Sequence, residues 1–441
     1  MRMTFCLRLP QLLCALAVLL GCCSAAAGEQ PEQSDLQWVL VLSRHGVRSP
    51  TAQPGALDAF ATKPWPAWPV PPGYLTPHGK QLMRIMGAWY RDYYANAGLL
   101  PIQGCLPNNT LFVLADDEQR TLESARGLMM GFEPGCDVDI RASPKKGPQA
   151  LFAHDFSQAT DEDRALAAAA VLGRIGGDPS RLALANASSL ELMQQTLFGC
   201  QPTACDPSLV KDRKWLKNQA SSISPAQDDG LLSIKSPLHN ASTFAENFYL
   251  EYTEGMPMSD VAWGRITPAQ LGQLIALHSL YSDISLRTPE VASAYASDLA
   301  EGILATLQQA AGADISNKAI GPAKAKIVFL VGHDTNIETL AGMLDLHWLL
   351  PEQPADPTSP GGALVFELRH RKQSGQYVVR AYYVAQSMDQ MRNTTTLDRA
   401  HPPSMAPIFI PGCSDASAGY DCPLDRLSDL VQQRSGLTKS H

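Results

Sequence analysis

The sequence predicts an α/β fold, in which a mostly parallel central sheet is flanked by helices and a second, mainly helical domain is inserted. Two observations predict it. Three short apolar runs lack strict alternation, as expected of strands that are buried on both faces of a parallel sheet. Between residues 155 and 315, Ala- and Leu-rich stretches with helical spacing dominate, as in "DEDRALAAAAVLGRI".

The three apolar runs lie at residues 37–44, 110–116 and 326–334. Each ends in a stretch that contains Gly or Asp and is followed by a helical pattern, which indicates a strand–helix unit. Near the C-terminus, "GALVFELRH" and "YVVRAYYVA" alternate more clearly and are separated by "RKQSGQ". This pair predicts an antiparallel hairpin at the edge of the sheet.

The domain boundaries follow from the change in pattern. Residues 34–154 and 316–441 are assigned to a discontinuous α/β domain, and residues 155–315 are assigned to the inserted helical domain. The length of the chain is compatible with two domains.

Residues 1–27 have the features of a secretory signal peptide, because two arginines precede an apolar stretch and a run of small residues. Cleavage after Ala25–Ala27 is favoured. The alternative is a lipid anchor on Cys22, since "LLGC" resembles a bacterial lipoprotein cleavage box in which the second-position leucine fits poorly. The leader favours a bacterial host and a periplasmic or secreted protein.

The composition limits the partners. The formal net charge is −8 and no basic run occurs, which argues against nucleic acid. No later stretch is long and apolar enough to cross a bilayer. A monomer that binds small molecules is expected.

Six cysteines follow the leader, and an even number in an exported chain indicates disulfides, although six allow 15 connectivities. Short separation favours Cys200–Cys205 and Cys413–Cys422, which leaves Cys105–Cys136. The alternative is half a metal site at Cys200 and Cys205, but no second closely spaced Cys or His pair completes it.

Charged and imidazole side chains follow each of the three runs. In open parallel sheets, ligands bind beyond the carboxyl ends of the strands, so these residues are candidates for a common site. The first run is followed by Arg44, His45 and Arg48, the second by the aspartates of "ADDEQRT" and Arg120, and the third by His333 and Asp334.

Three arginines, two histidines and a carboxylate suit a phosphate dianion. Arginine presents a planar fork of donors to phosphate oxygens. An imidazole held among them can attack phosphorus and form a phosphohistidine, and a carboxylic acid can protonate the leaving alkoxide. No metal or other cofactor is required, and no metal-binding or nucleotide-binding motif is found.

These residues resemble a known family. "RHGVRSPT" with "GHDTN" is similar to the histidine acid phosphatases, the exported branch of the histidine phosphatase superfamily. Further segments resemble the enterobacterial periplasmic phytases in order and spacing, including "WPAWPV", "EGMP", "WGRIT", "RTPEVA" and "QMRN". The resemblance covers nearly the whole mature chain. It implies an α/β domain with an inserted helical domain and an active site between them.

The resemblance also implies roles for individual residues. His45 would be the nucleophile and Asp334 the proton donor. Arg44, Arg48, Arg120 and His333 would bind the transferred phosphate. Thr51, Glu246 and Arg287 would contact the substrate, although Glu246 could equally lie on a solvated helix face.

The chain departs from these phytases at one position. They have a lysine after the segment that matches "RHGVRSPT", whereas this chain has Ala52, so one cation for outlying phosphates is missing. The three disulfides fit the family pattern, and one further disulfide of the family has no counterpart.

The sequence therefore predicts an exported acid phosphomonoesterase that hydrolyses phytate through a phosphohistidine. A broad acid phosphatase or sugar-phosphate phosphatase is the alternative that Ala52 favours. A phosphate-ester binding protein without turnover is a third, less favoured one.

Overall fold

The computed structural model describes residues 32–145, 151–152, 156–157, 159–228, 230–314, 316–417 and 419–435. The predicted signal peptide at 1–27, including Cys22, lies outside the described residues, as do the predicted domain boundaries at 154, 155 and 315.

The strands of the described residues form one mixed sheet of eight and one hairpin of two. They are β1 (Ser34–Arg44), β2 (Leu111–Ala115), β3 (Ile140–Ala142), β4 (Ser222–Pro225), β5 (Leu232–Lys235), β6 (Ile327–Gly332), β7 (Ala363–Arg371), β8 (Tyr377–Ala385), β9 (Ser404–Ile408) and β10 (Cys422–Pro423).

The α-helices of the same residues lie between and after these strands. They are α1 (Pro77–Asn96), α2 (Gln119–Phe132), α3 (Asp161–Arg174), α4 (Ser180–Ala185), α5 (Ala187–Phe198), α6 (Pro207–Val210), α7 (Pro237–Thr253), α8 (Pro268–Leu286), α9 (Pro289–Ala310), α10 (Asp334–Leu344), α11 (Met388–Arg392) and α12 (Leu424–Ser435). None of the described helices combines the length and apolar character needed to span a membrane.

The order of strands in the large sheet is β10-β8-β7-β1-β6-β2-β3, with β9 paired to β8. The central strands β1, β6, β2 and β3 are parallel. Arg44 is in register with Gly332, and Ala115 is in register with Val331. Three carboxyl ends therefore meet at one level, and the residues that follow β1, β6 and β2 share one edge of the sheet.

The predicted fold class, a mostly parallel central sheet flanked by helices, is confirmed. The hairpin of β7 and β8 is antiparallel as predicted, but its predicted position at the edge is wrong. β7 pairs with β1, and β9 and β10 both pair with β8 on its outer side.

Both faces of the sheet are covered, which explains why the apolar runs do not alternate. Val39 and Val41 face a core that α1 and α2 complete. Leu40 and Leu42 face the opposite core, which α9, α10 and α12 complete. Alternate residues of β1 thus face two different apolar cores. Residues on both faces are therefore apolar, and the run shows no alternation with polar residues.

Helices α3 to α8 enclose a third core that includes Leu238, Phe244, Phe248 and Leu274. Most buried side chains of α9 join the sheet core instead. We therefore propose that the inserted segment ends before Pro289, rather than at residue 315.

The three predicted disulfides are confirmed. They join Cys105 to Cys136, Cys200 to Cys205, and Cys413 to Cys422.

Helix α1 approaches the segment after β1 very closely. Thr76 caps the helix by accepting a hydrogen bond from the backbone N–H of Gly79, and its own N–H donates to the carbonyl of Val47. A Cβ added at Gly79 would collide with that carbonyl oxygen. The absence of a side chain at Gly79 thus lets α1 buttress the segment that follows His45.

Gly79→Ala should lower the free energy of unfolding by about 1–3 kcal/mol, the usual cost of overpacking, and should also lower any activity that depends on His45. Gly272→Ala in α8 is the matched control, because a Cβ there meets no atom within 4 Å. Urea denaturation and steady-state kinetics of both variants measure the effect. A Gly79→Ala variant as stable and active as the control would contradict the proposed buttress.

Candidate active site

His45 follows β1 and is 2% exposed. Its backbone N–H donates to the carbonyl of Gly332 on β6, and its Nδ1 lies 2.9 Å from the carbonyl oxygen of Gly46. A carbonyl only accepts, so Nδ1 carries the proton in this contact. The lone pair is then on Nε2, which is the nitrogen available to attack an electrophile.

The surroundings of His45 favour its neutral form. Burial lowers the pKa of His45 well below its usual range, and the charges of Arg44, Arg48, His333 and Arg120 act in the same direction. The imidazole therefore retains its lone pair in mildly acidic solution, where an exposed histidine would be protonated.

Arg44 is 1% exposed and its guanidinium is held on two sides. Nη1 donates to the carbonyl of Thr358 at 2.6 Å. Nη2 pairs with Glu246 and lies 2.9 Å from Oδ2 of Asp334. A strand end, a loop and two helices together fix the orientation of this side chain.

Arg48 shares the same carboxylate. Its Nη2 lies 3.2 Å from both oxygens of Glu246, and its Nη1 donates to the carbonyl of Ser49. Glu246 is therefore a bridge between Arg48 and Arg44. Because Glu246 is on α7, the helical segment contributes directly to the charge of the cluster.

Arg120 and Thr51 approach the cluster from α2 and from the loop that follows Arg48. A Cβ at Gly73 would lie 3.6 Å from Cγ2 of Thr51 and 3.8 Å from Nη1 of Arg120, so both side chains flank this glycine. Arg120 also pairs with Glu118 at 3.4 Å. Burial and the charge of Arg48 lower the pKa of Arg120, which reflects how near the two cations are.

His333 and Asp334 stand at the start of α10, directly after β6. The imidazole rings of His333 and His45 are 5.6 Å apart between centroids. Nε2 of His333 donates to Oδ2 of Asp116, which follows β2, at 2.7 Å. That hydrogen bond fixes the ring of His333 between the ends of two neighbouring strands.

Both carboxylates of the cluster are ionised. Burial alone would raise the pKa of Glu246, but Arg48 and Arg44 lower it to about 2. Burial acts in the same direction on Asp334, and Arg44, His278 and Arg48 outweigh it and hold the pKa below its usual range. Asp334 can act as an acid only when a bound anion offsets these cations.

The structure does not bring Arg287 to this cluster, so its expected contact with substrate is wrong. Arg287 caps the end of α8, and its side chain is 2% exposed. Its Nη1 lies 3.4 Å from Oε2 of Glu338, and its Nη2 lies 3.2 Å from Oδ2 of Asp356. Both terminal nitrogens pair with carboxylates of the protein, so the role of Arg287 is structural.

The family model for the histidine phosphatase superfamily (branch 2) matches residues 35–173 and 208–384. This chain belongs to that family. The buried histidine and the arginines around it also indicate a phosphatase of this branch.

The relatives cover nearly the whole chain. Phytase AppA of Escherichia coli is 31% identical over 420 residues, which are 93% of this chain and 94% of that protein. A glucose-1-phosphatase of Salmonella typhimurium is 31% identical over 421 residues, or 94% and 96%. The structure of Hafnia alvei phytase in complex with myo-inositol hexakis sulphate is similar with a TM-score of 0.78 and 34% identity, covering 91% of this chain and 97% of that one.

Two cavities adjoin the site of this phosphatase. One, of about 340 Å³, lies between α7 and α8 and is lined by Glu246, Asp334, His278 and Tyr281, among others. We call it the α7–α8 cavity. The other, of about 440 Å³, is lined mainly by Trp65 and neighbouring prolines and reaches Ala52. Asp334 lines the first, so a group that Asp334 protonates can extend into the α7–α8 cavity.

One cluster near the site has the spacing of a metal site. A ring nitrogen of His278 and oxygens of Glu246 and Asp334 lie within 4.8 Å of one another. Both carboxylates are already paired with Arg44, whose charge opposes a divalent cation at this point. The absence of a metal requirement stays a prediction.

Three groups at the site were not singled out from the sequence. Thr358 contributes only a backbone carbonyl, which no side-chain pattern can reveal. Glu338 acts behind it, since its Oε1 accepts from the hydroxyl of Thr358 at 3.2 Å. His278 reaches the site only because α8 packs on α7, and a lone histidine in a helix gives no signal.

The ring of His45 should stay neutral below the pH at which an ordinary histidine is protonated, because lowering its pKa extends the neutral form to lower pH. NMR titration of the ring nitrogens, assigned by loss of the signal in His45→Ala, tests this. Protonation of His45 near the ordinary histidine value of about 6.5 would contradict the electrostatic account.

Proposed function

We propose that this chain is an exported acid phosphomonoesterase that hydrolyses phytate, myo-inositol hexakisphosphate, through a phosphohistidine on His45. The observation that carries the proposal is the neutral, buried imidazole of His45 with its free Nε2 beside Arg44 and Arg48. A nucleophile that stays unprotonated in acid and lies among cations suits attack on a phosphate ester.

The first step forms a bond between Nε2 of His45 and phosphorus and breaks the bond from phosphorus to the ester oxygen. Arg44, Arg48, Arg120 and His333 hold the phosphate oxygens. Asp334 gives its proton to the departing alkoxide, which leaves as the alcohol.

In the second step, water attacks phosphorus and the bond from phosphorus to Nε2 breaks. Asp334, now a carboxylate, takes a proton from that water, and inorganic phosphate leaves. The charge on the incoming phosphate is what raises the pKa of Asp334 before the first step, since the arginines then face a second anion.

Phytate is the favoured substrate because phytases are among the relatives at 31–34% identity over nearly the whole chain. Export is supported by the three disulfides, which form in oxidising compartments. The lipid anchor on Cys22, the periplasmic or secreted location and the monomeric state stay predictions.

A second candidate is a sugar-phosphate phosphatase. A glucose-1-phosphatase is as similar to this chain as phytase AppA, at 31% identity. Ala52 favours this candidate, since the phytases that the sequence resembles have a lysine there.

Kinetics of the purified mature chain on phytate, glucose 1-phosphate and p-nitrophenyl phosphate, from about pH 3 to pH 7, decide between these candidates. We expect the highest kcat/KM on phytate and no turnover by His45→Ala, because the covalent step is lost. Rapid-quench trapping of labelled phosphohistidine gives an independent readout. A large preference for glucose 1-phosphate would overturn the phytate assignment in favour of the second candidate.

Asp334→Asn should slow poor leaving groups most, because a good leaving group departs without a proton. We expect a loss of about 10²-fold or more on an alkyl phosphate and a much smaller loss on p-nitrophenyl phosphate. Asp345→Asn, at the other end of α10, is the matched control. Equal losses on both substrates would argue against Asp334 as the acid.

A further inference from the structure

The α7–α8 cavity offers space beside Asp334 for the alcohol part of the ester, an argument that rests on the proposed function. Asp334 lines this cavity, and its proton goes to the ester oxygen, so the rest of the alcohol extends from Asp334 into the same space. The chemistry of the lining therefore determines which alcohols the enzyme accepts.

The lining is rich in hydroxyl groups and contains two carboxylates. Hydroxyls come from α7, α8 and α9, and they belong to Ser242, Thr243, Tyr281, Ser282, Ser285 and Tyr295. Among the described residues that line the cavity, none is a lysine or an arginine. Hydroxyls suit a polyol, whereas a phosphate on that polyol is bound more strongly by N–H donors.

His278 is placed to supply such a donor. Its Nδ1 lies 2.9 Å from the hydroxyl oxygen of Ser242, which fixes the ring against α7. Its Nε2 is buried and has no hydrogen-bond partner in the part of the chain that the structure describes. A buried ring nitrogen without a partner is costly unless a bound group satisfies it.

We propose that His278 determines substrate specificity: its Nε2 donates a hydrogen bond to a further phosphate on the alcohol and so favours polyphosphorylated substrates over simple monophosphate esters. In that arrangement Nδ1 accepts from the hydroxyl of Ser242.

Two carboxylates lie close to the ring of His278, since an oxygen of Glu246, an oxygen of Asp334 and a ring nitrogen of His278 are within 4.8 Å of one another. Both carboxylates are paired with arginines. The buried Nε2 of His278 is therefore left for a group on the alcohol.

His278→Leu removes the ring nitrogens, whereas His278→Gln keeps an N–H donor at this position. The ratio of kcat/KM for phytate to kcat/KM for p-nitrophenyl phosphate should fall about tenfold in His278→Leu, mainly through KM for phytate, and should fall less in His278→Gln. His401→Leu, at an exposed histidine, is the matched control.

Binding of myo-inositol hexakis sulphate tests the same inference without turnover, because a sulfate ester has no phosphoryl group to transfer. Calorimetry should show about tenfold weaker binding to His278→Leu than to the unmodified enzyme. Equal affinities, or equal losses on both substrates, would overturn the role of His278. Failure to hydrolyse phytate while this binding difference persists would instead count against the proposed function alone.

Discussion

Three arginines surround a histidine that must stay uncharged, and the rest of the structure depends on this crowding of positive charge. Arg44 and His45 are almost completely buried, where water cannot screen their neighbours. Such a cluster is stable only if carboxylates are held within it. Glu246 and Asp334 meet that need. Asp334 follows β6 almost directly, whereas Glu246 comes from a helix that the sheet alone could not place.

The need to pair the buried arginines with carboxylates explains the architecture around the site. β1 and β6 bring the nucleophile and the acid to one edge, because their register puts Arg44 beside Gly332. Helix α7, from the helical segment, brings Glu246 over the same edge. With the sheet alone, Arg44 would keep Asp334 but Arg48 would lose the carboxylate of Glu246, so the helical segment stabilises the site as well as shaping its cavity.

The residues at the carboxyl edge of the sheet could be predicted from the sequence, whereas the packing of the surrounding helices could not. Residues that follow parallel strands must share an edge, so His45, His333 and Asp334 could be grouped from the order of apolar runs alone. Glu246 was found through a motif and not through packing. Arg287 was misplaced because a motif does not state which way a side chain faces, and at the end of α8 it turns towards Glu338. The side of the sheet that α9 covers likewise depends on tertiary packing, which local patterns do not contain.

The pairing of Glu246 with both Arg44 and Arg48 has a consequence for the end of the catalytic cycle. An anion that enters the site must share these guanidinium groups with a carboxylate that stays ionised in acid, since the pKa of Glu246 is lowered to about 2. Inorganic phosphate is therefore held less tightly than three unshared arginines would hold it. Competition from within the protein thus limits product inhibition and favours dissociation of phosphate after each turnover.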